Sequence, residues 1–186
     1  MSEQVTSFIP IETGEQKYLF FLVTWNDFVT PITEELLKQR EAFGEALGLH
    51  GSVIQAYRSA TGETYQEVLW KHWPTKVTER MKSEQDPFML VIGEDFKKFD
   101  PNTHKWSLVW FSDFWKKKDS IWRVFAALAQ KVRNGEDIFD YLEGVSRKKK
   151  YTAISKYIEI KPDLFGTSID VKAILEDLLG IGSDDT

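Results

Sequence analysis

The chain has no cysteine and only three histidines among its 186 residues. The first absence excludes disulfides, thiolate zinc sites, iron–sulfur clusters and a cysteine nucleophile. It also fits a reducing compartment, so a cytoplasmic location is the expectation. His50, His72 and His104 are far apart and show no H-x-x-x-H spacing, so no metal motif stands on them. The eleven glycines are scattered. With no Walker loop and no G-x-G-x-x-G, a nucleotide fold built on a glycine-rich phosphate loop is not expected. No G-x-S-x-G marks a serine nucleophile. Long hydrophobic runs are missing too, since a membrane helix needs about 20 apolar residues and no run approaches that. The first residues, Met1-Ser2-Glu3-Gln4-Val5-Thr6-Ser7, carry no basic segment leading into an apolar one, so no signal peptide is expected. A formal charge of −5 is not the electrostatic footprint of a general nucleic-acid binder.

What is present is apolar and aromatic. Apolar residues make up 42% of the chain and aromatics 14%, with seven Trp and thirteen Phe. That is enough to bury one substantial core, and the length fits one domain. The division read from the sequence is a polar N-terminal arm over 1–16, an α/β domain over 17–180 and a flexible acidic tail over 181–186.

The chain is organised around Pro87-Phe88-Met89-Leu90-Val91-Ile92-Gly93-Glu94-Asp95-Phe96. Its apolar run has no polar alternation, so it reads as a central strand buried on both faces. Tyr18 to Val23 and Trp106 to Phe111 read the same way, and Ser52 to Tyr57 is a shorter strand candidate. Tyr157 to Ile160 reads as an edge strand, because Lys161-Pro162 follow it.

Helices alternate with these runs. Thr30-Pro31 opens one, with Thr30 as N-cap and Pro31 at the first helical position. Leu36, Phe43 and Leu47 then share a stripe, and Gly48 closes it. Further helices are expected around Tyr65 to Trp73, Val77 to Met81, Ile121 to Val132 and Ile138 to Val145. Thr167 and Asp170 have capping-box spacing before Val171, Ile174, Leu175, Leu178 and Leu179.

The fold class is therefore α/β: a single-domain three-layer sandwich with helices on both faces of a mostly parallel sheet of about five strands. The helix-free step from 87–92 to 106–111 allows an antiparallel pair there, and so a mixed sheet.

Three constellations carry chemistry. Asp27, Glu94, Asp95 and Asp113 each follow a predicted strand. In open α/β sheets ligands bind beyond the carboxyl ends of the strands, and clustered carboxylates suit Mg²⁺. The ordinary alternative is that aspartates suit the turns after strands. Glu159-Ile160-Lys161 has the E-x-K spacing of a nuclease-type metal site. Such a site also needs an aspartate from a neighbouring strand, and Asp137 and Asp140 fall on a predicted helix. Two basic runs, Lys116-Lys117-Lys118 and Arg147-Lys148-Lys149-Lys150, flank aromatics and offer phosphate or nucleic-acid contacts; solvated loops at helix ends are the plainer reading.

With no complete catalytic motif and many aromatics, the leading expectation is a non-enzymatic module that binds a protein partner or itself, without a cofactor. The alternative is a Mg²⁺-dependent phosphoryl-transfer enzyme or phosphate-ester hydrolase using the four carboxylates.

Overall fold

The computed structural model describes residues 2–5, 17–24, 30–57, 79, 87–93, 98–111, 119–151, 166–170, 174, 177 and 178. The strands are β1 (Ser2–Val5), β2 (Tyr18–Thr24), β3 (Gly51–Tyr57), β4 (Phe88–Ile92), β5 (Trp106–Trp110) and β6 (Gly166–Asp170). The helices are α1 (Pro31–Leu47), α2 (Asp119–Arg133) and α3 (Ile138–Tyr151).

The strands form one six-stranded sheet in the order β1-β3-β2-β4-β5-β6. It is a mixed sheet. Neighbours pair in parallel except where β4 meets β2 and β5. The chain is thus α/β with one reversed strand, and that strand is the central apolar run itself.

β2 and β4 lie in the middle of the sheet and are buried along their whole length. Side chains alternate between faces, so a strand that is apolar at every position needs cover on both. One face carries Tyr18, Phe20, Leu22, Val53, Met89, Val91 and Val109. Against it pack Leu36, Phe43 and Leu47 of α1, Val124, Phe125 and Leu128 of α2, and Ile138, Leu142 and Val145 of α3. The opposite face is equally buried through Leu19, Phe21, Val23, Phe88, Leu90, Ile92, Leu108 and Trp110.

Local chemistry sets the helix limits. Thr30 accepts a hydrogen bond from Thr33 N at 3.2 Å, and Pro31 occupies the first turn of α1. Its missing N–H costs nothing there. α2 ends at Gly135, whose φ of +78° lies in the left-handed region that glycine enters freely. Gly135 N then bonds Val132 O, and Glu136 N bonds Lys131 O, closing orphan carbonyls of the last turn.

Four sequence expectations change. Ser2–Val5, read as part of an arm, is an edge strand in register with Val53 to Ala56 of β3. The sheet has six strands, not about five. Gly166–Asp170 is also a strand, paired with β5, so Thr167 and Asp170 do not form a capping box; Ile174, Asp177 and Leu178 beyond it are helical. In that stretch cross-strand pairing with β5 outweighs local capping propensity. Finally, α3 does not stop near Val145 but continues through Arg147-Lys148-Lys149-Lys150. The expected strand at 157–160, the expected helices at 65–81 apart from Glu79, and the tail at 181–186 lie outside the described residues.

Candidate functional site

Strand direction decides what becomes of the carboxylates. Leu19 of β2 stands opposite Ile92 of β4, and Val23 opposite Phe88. The end of β4 therefore lies beside the beginning of β2. The strands leading to Asp27 and Asp113 end at one edge of the sheet, and the strand leading to Glu94 and Asp95 ends at the other. A five-residue strand separates its ends by about 13 Å at its usual rise. Strand direction thus gives no reason for the four to converge, although Asp27, Glu94, Asp95 and Asp113 themselves lie outside the described residues. So do Lys116, Lys117, Lys118, Glu159 and Lys161. Asp137 and Asp140, the possible partners for Glu159, belong to the start of α3.

Arg147, Lys148, Lys149 and Lys150 are placed in the last turns of α3. A helix turns about 100° per residue, which does not gather consecutive positions on one face. Cations near a helix C-terminus complement its dipole.

A polar cluster that the sequence reading passed over lies beneath α1. Ile32, Leu36, Phe43 and Leu47 form the buried stripe of that helix. Arg40 sits four residues after Leu36 and three before Phe43, in the same stripe. Its side chain is only 15% exposed. A long aliphatic stem lets arginine cross apolar surface and deliver its head to a polar group. Here Arg40 Nη1 donates to Gln55 Oε1. Gln55 is 2% exposed and shares the helix-covered face of β3 with Val53. Its register partner on β2 is Leu22, and two residues further along the same face is Thr24, 1% exposed.

These side chains are not satisfied by one another. Arg40 Nε, Gln55 Nε2 and Thr24 Oγ1 have no hydrogen-bond partner among the described residues. The carboxylate of Glu41 lies 3.6 Å from Arg40 Nη2 and is itself 75% exposed. Each buried donor left unmade costs about 1–3 kcal/mol, so the cluster is expensive as it stands. The signal in the sequence was an arginine at a core position of an otherwise apolar stripe. A fourth orphan, Ser107 Oγ, sits two strands away on β5.

A second feature is a cleft of about 260 Å³ at the other end of the sheet, lined by Lys17, Tyr18, Gly93, His104, Lys105, Asp137 and Phe139. Gly93 makes a close approach there: a Cβ on it would meet the Phe139 ring at 3.0 Å, so the ring would have to give way slightly. Asp137 caps α3, its Oδ1 accepting from Phe139 N at 2.8 Å and Asp140 N at 3.3 Å. Tyr18 Oη accepts from Ile138 N at 3.4 Å. His104 Nδ1 accepts from Asp100 N at 2.9 Å, which places the proton of the neutral ring on Nε2.

The Lys17 ammonium is held above its usual range, first by hydrogen bonding to Tyr18, with the charge of Asp137 adding. Lys105 is raised mainly by its bond to Asp140, 3.2 Å away. Each lysine thus has an acidic neighbour, so the cleft offers little uncompensated charge to a ligand.

Among the described residues, no three His, Asp or Glu side chains stand together to hold a metal ion. Nor is any described helix long and apolar enough to cross a membrane. Comparison with protein-family models, curated proteins and solved structures finds no match for this chain.

Proposed function

We propose that the chain acts by binding a protein partner or a second copy of itself, and that it is not an enzyme. The observation that carries this is Trp122. Ten described aromatics are buried, namely Tyr18, Phe20, Phe21, Phe43, Phe88, Trp106, Trp110, Phe111, Phe125 and Phe139, while Trp122 on the first turns of α2 is 50% exposed. Arg123 beside it is exposed as well. Tryptophan and arginine are the types most enriched at the energetic centres of protein interfaces. Among the described residues most aromatics belong to the core, so there the proposal narrows to this position.

The test is a photo-crosslinking residue at position 122 together with light scattering over a range of concentrations. A captured protein, or a mass that rises with concentration and falls back in Trp122→Ser, supports the reading. A wild-type monomer at every concentration, with no more capture at 122 than at exposed Arg133, overturns it.

The Mg²⁺-dependent alternative loses its geometric motive, because β4 runs against β2 and β5. For the architecture, we read the sheet as the middle of three layers. Burial of the second face supports that reading.

A further inference from the structure

We propose that the cluster of Arg40, Gln55 and Thr24 is a binding site for a carboxylate group. The proposal is independent of the partner-binding reading.

The cluster leaves hydrogen-bonding roles unfilled. Arg40 Nε and Gln55 Nε2 are both donors, and they belong to side chains already joined through Gln55 Oε1. Neither can satisfy the other, so what completes the pair must bring lone pairs. Thr24 Oγ1, which can donate or accept, adds a third unpartnered atom on the same face. The group that answers two donors beside a guanidinium is an oxyanion.

Geometry and charge narrow the class. Nε and Nη2 form one edge of the planar guanidinium, and that edge matches the two oxygens of a carboxylate. Nη1 is occupied by Gln55, and on this edge Nε has no hydrogen-bond partner. Its present neighbour, Glu41, is 3.6 Å from Nη2 and mostly in solvent, so it can swing aside. The cluster carries a single formal charge, which balances a monoanion and not a dianionic phosphate. The place is also suited to a ligand. Gln55 and Thr24 sit in the carboxyl-terminal halves of the parallel strands β2 and β3, toward the edge where α/β sheets receive ligands.

The experiment titrates the full-length chain with sodium acetate, and separately with inorganic phosphate and sodium chloride at matched ionic strength. The readout is the Nε–Hε resonance of Arg40 in ¹⁵N-resolved spectra, assigned by its loss in Arg40→Lys. The expected result is a saturable shift with acetate alone. Gln55→Leu, which puts an apolar side chain of similar size beside Leu22, is expected to weaken acetate binding tenfold or more. Should Arg40→Lys fail to fold, the wild-type titration and Gln55→Leu still decide the matter, with the resonance assigned through the backbone. A linear shift common to all three salts, or no shift, overturns the site. Saturation by phosphate and not by acetate overturns the carboxylate assignment. Unchanged acetate binding in Gln55→Leu overturns the role given to Gln55.

Discussion

Arg40 and Phe43 lie one turn apart on the same stripe of α1, over the same face of the same sheet, and meet opposite surroundings. Phe43 enters a continuous series of rings. It meets Phe20 edge-on at 5.1 Å and stacks on Phe125 at 4.3 Å. Phe125 in turn meets Phe111, while Phe20 leads through Tyr18 to Phe139. Phe43, Phe20, Phe125 and Tyr18 each meet two rings, and such pairs contribute beyond the area they bury. Arg40 enters a pocket where buried donors outnumber acceptors. A buried apolar group is satisfied by any close neighbour, whereas a buried polar group needs one of matching kind and direction. Cover by the same helix therefore means finished packing in one region and an incomplete hydrogen-bond set in the other.

The sharpest way to break this contrast is to empty the finished side. Phe43→Ala is expected to destabilise the fold by about 3–5 kcal/mol, as for other buried aromatic truncations, measured by denaturant unfolding. A loss below about 1.5 kcal/mol would mean that the ring series is not the mechanical centre of the core. Next comes the cap that starts the stripe. Thr30→Ala removes the acceptor for Thr33 N and should cost about 1 kcal/mol, whereas Thr30→Asp should restore most of it.

The effect becomes small, and changes sign, at an orphan far from α1. Ser107 is fully buried and its hydroxyl has no partner among the described residues. Ser107→Ala is therefore expected to leave stability unchanged or raise it by up to about 1 kcal/mol. A clear loss would show that the hydroxyl is satisfied after all and that unpaired donors are a poor guide in this sheet.

The smallest effect concerns pH. The Tyr141 hydroxyl is held above its ordinary value of 10.0, mainly by burial and then by the charge of Asp177, whose carboxylate it contacts at 3.5 Å. The folded state keeps this proton after the unfolded chain has released it. Stability should then be intact below pH 10 and fall as pH rises beyond it. Tyr141→Phe should flatten that part of the unfolding-midpoint profile, and an unchanged alkaline slope would remove Tyr141 from the account.

Much of the fold was legible because its signals are local. The unbroken runs at Tyr18–Thr24, Phe88–Ile92 and Trp106–Trp110 can be little else than buried strands, and each is one. Thr30-Pro31 and Gly48 mark the limits of α1 through chemistry contained in a few residues. Ser2–Val5 and Gly166–Asp170 were not legible, because an edge strand exists only through its neighbour: one is held by β3 and the other by β5. The candidate site was half legible. An arginine at a core position could have been noticed in α1, but nothing in the sequence says that Gln55 is the residue it meets.

The sequence by itself determined the apolar strands, the limits of α1 and the absence of thiol chemistry, because propensity, capping and composition act over a few residues or over none. Only the tertiary structure decided that β4 runs against its neighbours, that the strands leading to the four carboxylates end at opposite edges, and that Arg40 closes on Gln55. Strand direction and contact across a sheet depend on pairing between segments tens of residues apart, and no local pattern carries that information.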